Sequence, residues 1–239
     1  MVDSPVVVKK LSLSLTLVLA LATAFLGCSS EPPASSPEEA APEASAVETD
    51  AEGFISLWDG ETFDGWKKAG ENPDTFTIAD GAIIANGPRE HLFYAGEVNG
   101  GSFTNFELKV DVMTRETSNG GIYFHTNYQP EGWPSAGFEV QVNNSHGDWR
   151  RSGGLYGVDD VKEPPTKDDE WFTEHITVQD GRVTIALNGE QVVDWTQPED
   201  WTPPENMAGR MMGSGTFALQ GHDPGSTVYY RNIRVKVLD

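Results

Sequence analysis

Residues 171–195 read WFTEHITVQDGRVTIALNGEQVVDW. Asp180-Gly181 and Asn188-Gly189 divide this stretch into three β-rich runs, Phe172–Gln179, Arg182–Leu187 and Gln191–Trp195. Such dipeptides supply the positive φ angles of tight hairpin turns, so the stretch predicts a three-strand antiparallel meander. Asp80-Gly81 joins Phe76–Ala79 to Ala82–Ala85 in the same way. Outward from the meander the same period recurs. Phe106, Leu108, Val110 and Val112 alternate with Glu107, Lys109, Asp111 and Met113, and Ile233, Val235 and Val237 alternate with Arg234, Lys236 and Leu238. That is the pattern of half-buried strands. No amphipathic helical stretch of useful length is present. About a dozen short strands, with 25 Gly and 15 Pro to turn them, predict an all-β sandwich or jelly roll of two antiparallel sheets. Trp66 and Trp171 are expected in its core, and Trp133, Trp149 and Trp201 in loops.

The first fifty residues read differently. Lys9 and Lys10 precede an uncharged run, Leu11 to Gly27, rich in Leu, Ala and Val. This is the layout of a secretory signal, and it falls short of the roughly 20 apolar residues that a span needs. The run ends Phe25-Leu26-Gly27-Cys28-Ser29, which resembles a bacterial lipobox. The resemblance implies cleavage after residue 27, lipidation of Cys28 and a lipid-anchored protein in the cell envelope. From Ser29 to Glu52 the chain carries Glu31, Glu38, Glu39, Glu43, Glu48, Asp50 and Glu52, no Lys or Arg, and prolines at 32, 33, 37 and 42. Too little apolar surface is available there to offset chain entropy, so residues 28–52 are expected to be a disordered, extended spacer. The folded domain is expected over 53–239.

Net charge is −21 at pH 7, which argues against nucleic acid as a partner, because phosphate contacts need clustered Lys and Arg. Cys28 is the single cysteine, so no intramolecular disulfide forms. Neither a Gly-x-Ser-x-Gly elbow, a phosphate loop nor a dinucleotide fingerprint occurs.

Residues two apart on a strand face the same side. Phe138, Val140 and Val142 therefore point inward, and Glu139, Gln141 and Asn143 share the other face. The same parity sets Ile122 and Phe124 inward and Tyr123 and His125 outward, and groups Ala218, Gln220 and His222. Carboxylate, amide, imidazole and phenol groups gathered this way would line a sugar-sized polar cleft. Taken alone, Glu139 reads as an ordinary solvated strand position and His222 as a plain loop histidine, while Tyr156 is either a stacking platform or a loop filler. His125, Glu139 and His222 would suit a divalent ion, and an oxygen-rich set with Asp223 would suit Ca²⁺ or Mn²⁺. Position 141 is Gln where a second acid would be needed, which disfavours a two-carboxylate glycosidase.

Five segments, in order, resemble the 3-keto-disaccharide hydrolase family. They are Phe54 to Gly60 with Phe63 to Trp66, Ser118 to Phe124, Phe138 to Val142, Trp171 to Gly189, and Leu219 to His222 before Tyr230 to Arg234. The resemblance implies a concanavalin A-like lectin/glucanase jelly roll and an enzyme acting on an oxidised di- or oligosaccharide or glycoside. It implies Glu139 and His222 as catalytic residues, either as base or as ligands of a divalent metal. Gln141, His125, Tyr156, Gln220, Tyr123 and Asn119 are then expected to bind substrate. The chemistry expected of a 3-keto-glycoside is removal of the C2 proton, expulsion of the C1 oxygen, and hydration. Departures fall at His125, where the family often has Arg, and at Gln220-Gly221-His222-Asp223, where it has Gln-Asp-His-Gly. The segments Asn127 to Trp133 and Asp159 to Asp169 look particular to this chain. The alternative is a non-catalytic carbohydrate-binding module, since such sandwiches serve as lectins as readily as enzymes.

Overall fold

The computed structural model describes residues 48–239. The signal, Cys28 and the spacer as far as residue 47 lie outside the described residues. Fifteen strands form the domain. They are β1 (Ile55–Ser56), β2 (Trp66–Lys68), β3 (Phe76–Ala79), β4 (Ala82–Ala85), β5 (Glu90–Tyr94), β6 (Phe106–Thr114), β7 (Gly120–Thr126) and β8 (Phe138–Val142). The remainder are β9 (Arg151–Leu155), β10 (Asp159–Val161), β11 (Phe172–Gln179), β12 (Arg182–Leu187), β13 (Glu190–Thr196), β14 (Thr216–Gly221) and β15 (Val228–Val237). Three short 3₁₀ turns are the only helical segments among the described residues.

One sheet runs β13-β12-β11-β6-β15-β4-β3, with β1 also paired to β15; the other runs β10-β9-β8-β7-β14-β5-β2. Every strand pair is antiparallel, as expected from the sequence. The meander turns sit where the dipeptides put them, with Asp180, Gly181, Asn188 and Gly189 all at positive φ. The inward faces of the two sheets close one core. Phe106, Leu108, Val110 and Val112 from β6 meet Ile122, Phe124, Phe138, Val140 and Val142 from β7 and β8.

Two local readings need correction. Trp171 is half-exposed at the head of β11, outside the core. Phe172 points inward, so its neighbour must face out, and the Trp171 ring lies 3.8 Å from the Arg231 guanidinium. His125 departs from strand parity because it adopts φ 54° at the end of β7. Just ahead of residue 53 the chain also bonds to the domain. Asp50 Oδ1 accepts from the amides of Glu52 and Phe54, and Glu52 pairs with Lys109 at 2.6 Å.

Candidate active site

The site is built on the outer face of the seven-stranded sheet. Tyr123 on β7 stands opposite Glu139 on β8, and Ala218 on β14 stands opposite Tyr123. One step along, His91 on β5 faces Gln220 on β14, and Gly121 on β7 faces Gln141 on β8. Gly121 leaves a hole in this row, and the Glu139 carboxylate fills it: a Cβ at position 121 would come within 2.7 Å of Glu139 Oε1. A side chain there would displace the acid.

Above this floor lies a cavity of about 620 Å³, large enough for a small saccharide. Glu139 and His222 both line it, as do Asn119, Tyr123, Gln141, Tyr156 and Gln220. His125 does not. Its Nε2 donates to the Thr104 carbonyl at 2.9 Å, its Nδ1 accepts from the Gly213 amide, and its ring packs against Phe106 and Phe124. The positive φ turns it away from the cleft and into a packing role.

Glu139 is buried and fully engaged. Tyr123 Oη donates to its Oε2 at 2.8 Å, Gln220 Nε2 to its Oε1 at 2.9 Å, and Arg210 Nη2 to its Oε2 at 3.2 Å. Burial lifts Glu139 above the ordinary carboxylate range, and Arg210, Tyr123 and Gln220 offset part of that rise. Burial, with the neighbouring Glu139 charge, also pushes Tyr123 well above the usual phenol value, so it is a neutral donor. Gln141 Nε2 donates to Asn119 Oδ1 at 3.0 Å. Gln141 Oε1, Gln220 Oε1 and Arg210 Nε remain buried without a partner, which leaves polar valences on residues that line the cavity.

The second cluster is centred on His222. Its Nδ1 lies 2.8 Å from Asp223 Oδ2, which also accepts from Ser226 Oγ at 2.7 Å. Asp223 Oδ1 accepts from the Gly225 amide. Partial burial raises Asp223, but Ser226, His222 and Gly225 together hold it below the usual range. The second ring nitrogen of His222 is left free of this anchor. Asp–imidazole pairs of this kind fix tautomer and orientation. The His146 ring lies 5.6 Å from that of His222, and the Trp133 indole, which also lines the cavity, lies 5.4 Å from it.

The ligand-capable atoms of His146, His222 and Asp223 lie within 4.8 Å of one another. Glu139, expected from sequence to share a metal with His222, is not in that group; its carboxylate is committed to the Arg210 guanidinium. Two imidazoles and a carboxylate suit a transition ion such as Mn²⁺ better than Ca²⁺, which takes six to eight oxygens. His146 Nδ1 accepts from the Asp148 amide at 3.1 Å, which leaves its Nε2 for such a role.

Arg210 and His146 carry no one-dimensional signal that would place them in this site. Both sit in irregular segments outside the strands, and only tertiary packing brings them in. Tyr156 forms part of the cavity wall; its hydroxyl donates to Asp148 at 3.2 Å and Arg150 lies 4.6 Å from its ring centroid.

Residues 53–236 match the sequence profile of the 3-keto-alpha-glucoside-1,2-lyase-like domain. The chain belongs to that family. A 3-keto-disaccharide hydrolase of Bacteroides thetaiotaomicron is 28% identical, with 80% of each chain covered. The crystal structure of a Parabacteroides distasonis protein called a glycosyl hydrolase by name superposes with a TM-score of 0.68 at 25% identity, covering 79% of this chain and 95% of that one. The carbohydrate-binding module CBM66 of Bacillus subtilis shares the fold, with a TM-score of 0.53 at 13% identity, covering 72% of this chain and 95% of that one.

Proposed function

We propose that the protein cleaves 3-keto-glycosides by elimination across C1–C2 followed by hydration. The observation that carries this reading is the Asp223-anchored His222 lining the same cavity as the buried Glu139. In a 3-keto sugar the ketone acidifies the C2 proton. His222 takes that proton, and Asp223 stabilises the imidazolium formed. The enolate expels the C1 glycosidic oxygen, which is protonated by Glu139, leaving a C1=C2 enone. Water then adds at C1, giving its proton to Glu139, while His222 returns a proton to C2. The sum is hydrolysis. This route accounts for a lyase and a hydrolase name occurring among the relatives, since elimination is its first half and hydration its second.

A second version of the mechanism is favoured by the convergence of His146, His222 and Asp223. Those residues would hold a divalent ion, and when bound it supplies Lewis-acid polarisation of the keto oxygen. Glu139 is then the base. The two versions separate on His146, which the first does not use. Rate measurements with 4-nitrophenyl 3-keto-glucoside test both. In the first, His146→Ala and a chelator leave kcat within a few-fold; in the second, both abolish turnover and added Mn²⁺ restores the chelated enzyme. Inertness of the wild-type protein on the keto substrate, with cleavage of the unoxidised glucoside, would sink the reading as a whole.

The lipobox-like Phe25 to Ser29 supports a lipid-anchored protein at the cell envelope. Cys28→Ser is expected to abolish lipid labelling; undiminished membrane retention in that variant would instead mean an uncleaved anchor.

A further inference from the structure

His91 is fully buried, yet it stands on the face of the sheet that carries the site. Its Nε2 has no hydrogen-bond partner. Burial, aided by the nearby Arg89 charge, holds the ring neutral with a pKa of about 3. Directly across the strand pair is Gln220, whose Oε1 is also buried and unpartnered. Residues paired in this way have Cβ atoms about 4.5–5.5 Å apart. Two orphan polar atoms on facing positions are rare in native proteins and point to a missing partner. Their chemistry defines it: a hydroxyl group donates to the Gln220 carbonyl oxygen and accepts from a protonated His91 nitrogen.

Trp133 packs over the His91 ring edge-to-face at 5.6 Å, while Tyr123 meets the same ring at 5.5 Å from the floor. Trp133 is itself 43% exposed. Its loop, between β7 and β8, is braced by the Gln129 amide, which donates to the Glu131 and Trp133 carbonyls. The loop is tied to the body by the Gly132 amide on Glu71 and by Arg89 lying 5.1 Å from the indole ring centroid. These ties involve exposed or half-exposed groups, and such contacts are individually weak. The cover is therefore held lightly over a polar group held tightly.

Building on the proposed activity, we infer that His91 is a substrate-binding residue, its Nε2 sharing one sugar hydroxyl with Gln220 Oε1 once the Trp133 indole is displaced. The site would then reach one strand beyond the Glu139–Tyr123 cluster, on β5. No His91 bond to a reacting atom is implied, so its contribution falls on binding.

Steady-state kinetics on 4-nitrophenyl 3-keto-glucoside with His91→Phe and His91→Gln test the inference. Phe keeps the aromatic packing and removes the nitrogen, so KM is expected to rise about tenfold with kcat little changed, the loss expected for one hydrogen bond. Gln restores a donor and is expected to recover most of that loss. A His91→Phe enzyme with wild-type KM would show that the ring only packs. A second measurement serves should the variants fail to fold or the wild type not turn over. The ¹⁵N resonance of His91 Nε2 in the wild-type protein is followed while 4-nitrophenyl glucoside is added until the Trp133 indole signal stops moving. A shift at Nε2 is expected; movement at Trp133 with none at His91 would overturn the inference. Failure of the catalytic reading appears separately, as absent turnover with the His91 shift intact.

Discussion

Two buried glutamates, Glu139 and Glu174, behave as opposites. Glu139 faces the cavity and holds three donors, from Tyr123, Gln220 and Arg210. Glu174, on the inward face of β11 between Phe172 and Ile176, has no well-formed hydrogen bond to either carboxyl oxygen. Burial pushes Glu174 well above the carboxylate range, opposed only by the nearby Gly153 amide. An acid given partners can pass between its charged and neutral forms inside the protein, whereas an acid given none stays protonated and is carried as a neutral side chain. Burial favours the neutral form of Glu139 and its three donors favour the carboxylate, a balance suited to a group that gives a proton and takes one back.

The largest expected effect breaks the comparison on the cavity side. Glu139→Gln and His222→Ala are each expected to lower kcat on a 3-keto-glucoside by ~10²–10⁴, the range for a lost general acid or base, with the melting temperature of His222→Ala near wild type. Near-normal turnover in both variants would mean that the cavity is not the reaction site. Next is Arg210→Met, which leaves Glu139 buried beside no cation. Breaking such a pair costs about 3–5 kcal/mol unless the acid takes up a proton. Loss of Arg210 removes the charge that lowers Glu139, so the alkaline limb of the pH–rate profile is expected to move upward. An unmoved limb would show that Glu139 does not set it.

On the core side the effect falls on stability rather than on rate. Because Glu174 is raised in the folded state, its contribution is fully present below its unfolded pKa and is lost as pH rises through the folded value. Thermal stability is therefore expected to fall from mildly acidic to alkaline pH. Glu174→Met is expected to flatten that dependence and to gain about 1–3 kcal/mol at pH 8, the cost of an unsatisfied buried polar group. A destabilised Met variant with an unchanged pH profile would mean that Glu174 holds a partner after all. The smallest effect belongs to the edge of the domain. A chain beginning at Gly53 loses the Asp50 cap and the half-exposed Glu52–Lys109 pair, so a drop of at most about 1 kcal/mol in denaturant unfolding is expected.

How far these features are legible in sequence follows from the range of the forces involved. Asp180-Gly181 and Asn188-Gly189 fix the meander locally, so the all-β architecture can be read without the structure. Strand parity likewise brings Glu139 and Gln141 to one face and places Glu174 in the apolar register of Phe172 and Ile176. Parity also contained the correct position of Trp171, which must face out if Phe172 faces in. His125 escaped the same rule because a left-handed residue at a strand end is not visible in a period of two. Arg210 and His146 are brought to the site by loops, whose paths are set by packing rather than by local pattern. The free atoms of His91 and Gln220 depend on what lies above them, and no one-dimensional signal carries that.

The central claim is that the C2 hydrogen leaves during cleavage. Reaction of a 3-keto-glucoside in D₂O, stopped early and analysed by NMR, tests it most directly. Deuterium is predicted at C2 of the released 3-keto sugar, at a level well above that acquired by the free sugar in the same time, with an unoxidised disaccharide left intact. Release of 3-keto sugar that retains its C2 hydrogen, or cleavage of unoxidised sugar at a comparable rate, would contradict the mechanism.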